Sequence, residues 1–254
     1  MKNNKHLITR RTALATGLSS LGAMILYGCT RPTAPPTYGN ILRMGDAFTY
    51  NAHRSLFSGR ALAKEYTRRD ISSFPATGTT DPGDSSKAGF SELYAQLQKK
   101  DFADWKLSVE GKVSNPGLYS LNDLYKFPSR TQITRHTCEE GWTAIAEWTG
   151  VPLSNVLRHA GIHHNARFVN FYAYDGWIDS IDLLDAFHPQ TILAYGMNGK
   201  NLPLQHGAPL RARIETQIGY KSMKYLQKIV VTDEFDDGGK KGNIQNGWAW
   251  YTGI

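Results

Sequence analysis

From about residue 90 the apolar positions of the chain fall into short runs with two different periods. Ser91 sits where a helix would be capped, and Leu93 and Leu97, four apart, predict one face of a helix running to about Lys100. Trp105, Leu107 and Val109 then alternate with Lys106, Ser108 and Glu110, the pattern of a half-buried strand. Asn115-Pro116-Gly117 turns the chain, and Ser120 with Asp123 three residues on predicts a short capped helix that Pro128 closes. Thr131 to Thr134 reads as a strand. Leu153, Val156, Leu157 and Ala160 have helical spacing ahead of a stopping Gly161. Phe168 to Tyr174 is an apolar strand followed by an Asp175-Gly176 turn, and Ser180 to Phe187 reads as a helix ended by Pro189. Ile192 to Met197 and Lys200 to Leu204 flank Asn198-Gly199 as a hairpin, and strands are expected over Arg211 to Ile218 and Tyr225 to Val231. Short helices scattered among strands, with no regular strand-helix-strand repeat, predict an α+β domain of mixed sheets.

The region before residue 90 lacks such periods. Thr9-Arg10-Arg11-Thr12 followed by an apolar run from Ala13 to Tyr27 reads as a twin-arginine export signal, too short and Gly-rich for a membrane span. It ends at Leu26-Tyr27-Gly28-Cys29, similar to a lipoprotein cleavage box with Cys29 as a candidate lipid anchor. Three parts are therefore expected: a signal over 1–29, a Pro- and Thr-rich tether over 30–39, and a domain over 40–254. Within the domain, 40–87 reads as irregular coil, which in a compact protein lies on a surface or covers a ligand because its backbone groups need partners.

Charge changes little. The chain of 254 residues carries a formal +7, but Lys2, Lys5, Arg10 and Arg11 supply four of those charges and no acid precedes Cys29, which leaves +3 for the rest. No basic face with interleaved aromatics stands out, so nucleic acid is not an expected partner.

Cysteine usage is more informative. Apart from Cys29, Cys138 stands alone, within Arg135-His136-Thr137-Cys138-Glu139-Glu140-Gly141-Trp142. A disulfide with another mature cysteine and a multi-thiolate metal cluster are excluded. Three readings stay open: a buried inert thiol, a nucleophile served by His136 and Arg135, or the one thiolate ligand of a metal whose other ligands come from a cofactor. If the strand runs that far, His136 and Cys138 share a face.

That motif, with Trp148-Thr149-Gly150-Val151-Pro152, Phe187-His188-Pro189 and the run Asn201-Leu202-Pro203-Leu204-Gln205-His206-Gly207-Ala208-Pro209-Leu210-Arg211, resembles the molybdopterin-binding domain of the sulfite oxidase superfamily. It is particularly similar to exported bacterial members related to the periplasmic protein-methionine-sulfoxide reductase catalytic subunit. The resemblance implies a sulfite-oxidase-type fold, molybdenum with molybdopterin as cofactor, and Cys138 as the metal's protein ligand. It implies pterin contacts at Asn51, His53 and Arg54, at His206 in place of the family's asparagine, at the phosphate-anchoring Arg211, and at Ser222, Met223 and Lys224 in Gly219-Tyr220-Lys221-Ser222-Met223-Lys224. Near the metal, Arg135 and His136 are candidates for guiding an oxide or oxyanion, and Tyr174 and Asp175 for proton delivery.

The expected activity is two-electron oxygen-atom transfer, sulfoxide reduction or sulfite-type oxidation, on the outer face of the membrane or in the periplasm. No Cys-x-x-Cys-His occurs, so no haem is expected in the chain, and electrons would come from a separate membrane haem protein or cytochrome. No dimerisation domain is expected after the catalytic one, and a monomer is the expected state. The alternatives are an exported binding lipoprotein with this fold and no redox activity, and a cysteine hydrolase.

Overall fold

A computed structural model describes residues 41–57 and 61–254, so the export signal, the tether and Cys29 lie outside the described residues. Two five-stranded sheets share one main core. The strands are β1 (Lys106–Gly111), β2 (Gly117–Ser120), β3 (Arg130–Thr137), β4 (Thr143–Pro152), β5 (Phe168–Ala173), β6 (Ile178–Asp182), β7 (Ile192–Met197), β8 (Lys200–Asn201), β9 (Arg211–Arg213) and β10 (Leu226–Thr232). One sheet has the order β2-β1-β10-β5-β6, and the other β3-β4-β7-β8 with β9 also on β7. The α+β expectation holds.

The main core takes side chains from both sheets. Leu107 and Val109 of β1, Val169 and Phe171 of β5 and Ile229 of β10 meet Val151, Leu193 and Ala212 of the second sheet. The helix Leu153–Ala160 joins this core, with its Leu153, Val156, Leu157 and Ala160 all fully buried, as their spacing predicts. Each large apolar side chain so buried contributes about 1.5–3 kcal/mol. Gly161 ends that helix at φ 69°, a left-handed conformation that glycine adopts without a Cβ clash. The Ser120–Asp123 capping box forms, with Asp123 Oδ2 accepting from both the Ser120 amide and hydroxyl.

Several expectations are corrected. The stretch after residue 40 is not all coil, because Ile41–Leu56 is a helix, here α1. Its inner side rests on Tyr50 and Arg54, four apart, which reach a buried aspartate pair. Tyr50 donates to Asp182 at 2.8 Å, and Arg54 pairs with Asp182 at 2.9 Å and Asp185 at 2.7 Å. Residues 61–90 are irregular apart from one tight helical turn at Arg68–Asp70. The helix after Ser91 turns Tyr94 and Leu97 inward and leaves Leu93 half exposed; Tyr94 donates to the Ala208 carbonyl at 2.6 Å.

Ser180 to Asp182 belongs to β6, paired with β5 across the Asp175-Gly176 turn, and only Leu183–Ala186 is helical, capped by Asp182. β4 was not anticipated at its full length. It crosses β7 closely enough at Gly150 that a Cβ there would lie 2.2 Å from the Leu193 carbonyl oxygen. The strand at Arg211 stops at Arg213. No described helix is long and apolar enough to cross a membrane.

Candidate active site

β3 and β4 are joined by a turn that fixes Cys138. Its amide donates to the Trp142 carbonyl at 2.9 Å, and the Gly141 amide donates back to the Cys138 carbonyl at 3.1 Å. Gly141 holds φ 90°, so the turn needs a residue without a Cβ. The strand pleat runs up to this turn, and His136 and Cys138 emerge together on the buried side. Arg135 points the other way and is exposed.

The thiol and imidazole line a cavity of about 270 Å³. The Cys138 thiol donates to Glu139 Oε2 at 3.5 Å, and burial, reinforced by Glu139 and Glu140, pushes its pKa up to about 11. An unliganded thiol with that pKa stays protonated at neutral pH. His136 does not serve it as a base: its Nδ1 lies 2.7 Å from Arg213 Nη1, and burial followed by Arg213 lowers its pKa well below the ordinary histidine value. The hydrolase reading therefore has no activated nucleophile.

The same cavity is also lined by cations. Arg211, 4% exposed, donates to the His206 carbonyl at 2.9 Å and to the Ser222 carbonyl at 2.8 Å, while its Nε has no partner. Lys224 donates to the carbonyls of Thr77 at 2.8 Å, Gln205 at 3.3 Å and Thr79. Burial, then Arg211, lowers the Lys224 pKa to about 8, and burial, then Arg211, takes His206 to about 4. Among the described residues neither Arg211 nor Lys224 makes a carboxylate ion pair. Two largely buried cations that rest on carbonyls alone, one with an orphaned donor, leave room for an anion. Ser222 tightens the wall, because its hydroxyl accepts from the Ile214 amide at 3.2 Å and from Arg213 Nη1 at 3.4 Å.

The structure thus brings Cys138, His136, Asp175, His206, Arg211, Ser222, Met223 and Lys224 around one cavity. It does not bring Arg135 there. Tyr174 packs its ring 5.5 Å from Tyr94 and is not among the lining residues. Asn51 donates to the Ala47 carbonyl within α1, His53 packs against Phe57 and Tyr251, and Arg54 is held by the aspartate pair. Only Asn51 matches the family's segment in type, with His53 and Arg54 placed by their offset from it, and a helix docked elsewhere carries all three away. The coil Phe74 to Thr79 lines the cavity instead, as the expectation that an irregular stretch covers a ligand allowed.

Arg213 was missed, although it stands two residues beyond Arg211 on a strand and so shares its face. It is fully buried, pairs with Glu215 at 2.8 Å, and lies 4.4 Å over the Trp148 ring. Trp142 closes the Cys138 motif but was given no role, and Trp177, Asn243 and Trp248 were missed as well, since nothing local marks those three as lining residues.

Thiol and anion cradle facing one cavity suit a metal held jointly by protein and a phosphate-bearing cofactor. The family model described as the oxidoreductase molybdopterin binding domain matches residues 94–239, and the chain belongs to that family. It is a molybdopterin-dependent oxidoreductase of the sulfite oxidase superfamily.

Among its relatives is an Azospira oryzae protein named as protein-methionine-sulfoxide reductase subunit YedZ1, 32% identical over 250 residues that cover 97% of this chain and 88% of the relative. Protein-methionine-sulfoxide reductase catalytic subunits MsrP of Xanthomonas campestris pv. campestris and Xanthomonas axonopodis pv. citri are each 30% identical. The first match covers 82% of this chain and 65% of the relative, the second 86% and 69%. A solved structure, the sulfane dehydrogenase SoxCD of Paracoccus pantotrophus, aligns with 52% of this chain and 39% of its own at TM-score 0.49 and 22% identity.

Proposed function

We propose that this chain is the catalytic subunit of an exported reductase that returns protein-borne methionine sulfoxide to methionine. The observation that carries the reading is one cavity lined both by the Cys138 thiol and by Arg211 and Lys224, cations that donate to backbone carbonyls. The names of the relatives support the sulfoxide as substrate.

Cys138 would ligate molybdenum as a thiolate, with the remaining ligands coming from the cofactor and from oxygen. Arg211, Lys224 and the His206 to Ser222 backbone would hold the pterin phosphate, with Met223 against the ring system. When bound, the cofactor supplies two-electron oxygen-atom chemistry. The reaction balances as sulfoxide plus two electrons and two protons giving thioether and water.

This chain's own residues bind, orient and protonate. Asp175, buried at the cavity wall, has its carboxyl pKa raised by desolvation, so it keeps a proton to higher pH than an ordinary aspartate and can deliver it towards the departing oxygen. His136, held by Arg213 and kept neutral, offers a hydrogen bond without adding charge. The twin-arginine signal would place the folded enzyme outside the cytoplasm, with Cys29 as a candidate lipid anchor and a separate membrane haem protein as electron donor.

The test measures molybdenum per protein in the wild type and in Cys138→Ser, then sulfoxide reduction with a reduced dye and sulfite oxidation side by side. Stoichiometric metal, sulfoxide turnover well above sulfite turnover, and loss of activity in Cys138→Ser are expected. A metal-free wild type from cells that make the cofactor would defeat the reading and favour the redox-inactive binding protein.

A further inference from the structure

The residues lining the cavity differ in exposure. Cys138 and His136 are buried, Trp142 and Trp177 are half-buried, and Trp248 is 38% exposed, so indoles line its more exposed part. An acid stands with them: Trp142 Nε1 donates to the exposed Glu140 Oε2 at 3.1 Å. An aromatic and acidic lining repels small oxyanions and suits a neutral molecule with alkyl arms and a sulfur, because sulfur and methyl groups pack well on ring faces.

Trp248 reaches the cavity from a segment beyond residue 239, where the family match ends. That segment is pinned on both sides of the indole. On one side Asn243, itself a lining residue, donates to Asp179 Oδ2 at 2.6 Å, and the other carboxylate oxygen takes the buried Lys221 ammonium at 2.6 Å. On the other side the Ala249 carbonyl accepts from Tyr220, and Trp250 Nε1 donates to Ser180 at 2.9 Å. The Tyr220 ring backs the indole at 5.3 Å. A half-exposed tryptophan held this firmly presents a fixed apolar wall at little ordering cost to an arriving ligand.

We infer that Trp248, set in place by Asn243 and Tyr220, is a specificity-determining residue that grips the alkyl arms of a dialkyl sulfoxide and favours peptide-borne methionine sulfoxide over smaller oxides. The inference rests on the sulfoxide-reductase reading above. Its test compares N-acetyl-methionine sulfoxide methylamide with dimethyl sulfoxide on the holoenzyme, in wild type, Trp248→Ala and Trp248→Phe. For Trp248→Ala the KM of the methionine derivative should rise about tenfold with kcat nearly unchanged, while dimethyl sulfoxide, with little to place against the wall, shifts less than about twofold. Trp248→Phe should recover most of the loss.

Equal shifts for both substrates, or no shift for either, overturn the assignment. Binding is read independently as saturable quenching of tryptophan fluorescence by the methionine derivative, expected in the wild type and weakened in Trp248→Ala. Should the wild type turn over no sulfoxide, the reductase reading falls; quenching that depends on Trp248 would still uphold the wall, and its absence would sink that too.

Discussion

Lys224 offers the sharpest physical test of the anion cradle. In the protein without its cofactor, burial and Arg211 bring its pKa from 10.5 to about 8. At 1.36 kcal/mol for each tenfold change in proton affinity, that fall costs the folded state about 3 kcal/mol, less to the extent that water reaches the half-buried side chain. The folded protein holds this proton more weakly than the unfolded chain does. Below about pH 8 both forms are charged and the full cost is present; between about 8 and 10.5 the folded form has lost the proton and the unfolded form has not, so stability rises with pH.

Cys138 opposes this from about pH 9, because its pKa is raised from 9.0 to about 11 and the stability tied to the bound proton fades over that interval. The quantity to measure is therefore the wild-type minus Lys224→Met difference in unfolding free energy, from urea titrations of cofactor-free protein followed by tryptophan fluorescence. Removing the ammonium strips donors from the carbonyls of Thr77, Thr79 and Gln205, an offset that does not depend on pH. The difference should climb by about 2–3 kcal/mol between pH 8 and 10.5, and sulfate bound beside Lys224 should flatten it. A difference that stays flat without sulfate would refute the picture of a buried cation short of an anion.

Arg54→Ala leaves Asp182 and Asp185 buried beside each other without their shared cation, which should cost about 3–5 kcal/mol and loosen α1, read as a lower melting temperature and faster proteolysis at α1. Gly219→Ala would put a Cβ 2.4 Å from His136 Nε2 and 3.0 Å from the Thr137 carbonyl oxygen, displacing the imidazole that lines the cavity at a cost of about 1–3 kcal/mol. Its molybdenum content and melting temperature should both drop; a variant equal to wild type in both would show that His136 has room to move.

Where chemistry and burial agree along the chain, the elements were legible in advance. Leu107 and Val109 alternate because one side of β1 faces the core, and Leu153 to Ala160 keep helical spacing because that helix is buried along one side. α1 was not legible, since its inner face is made of Tyr50 and Arg54 and its partners lie more than a hundred residues away in Asp182 and Asp185. β4 was obscured because the charged Glu147 is buried in its middle while small Ala144 and Ala146 carry much of the buried face, and Gly150 and Pro152 read as breakers. In the site, Cys138 stood out by chemistry, whereas Arg211 and Lys224 were marked only by the resemblance of their segments to the family. Trp248 and Asn243 were marked by neither, because only the fold carries a segment after residue 239 back to the cavity.

The pairing of β1 with β10 is parallel, with Ser108 beside Lys228, 120 positions further along. During synthesis at about 5–20 residues per second, β1 waits roughly 6–24 s for the strand that completes its sheet. Arg211 and Lys224 emerge in the same late interval, and the Ile218 amide finds the Thr252 carbonyl later still. The turn that holds Cys138 is thus made long before the cations that line the same cavity. A ribosome part-way along this message carries a thiol without a pocket, so assembly of the cofactor site is timed by the last fifth of the chain.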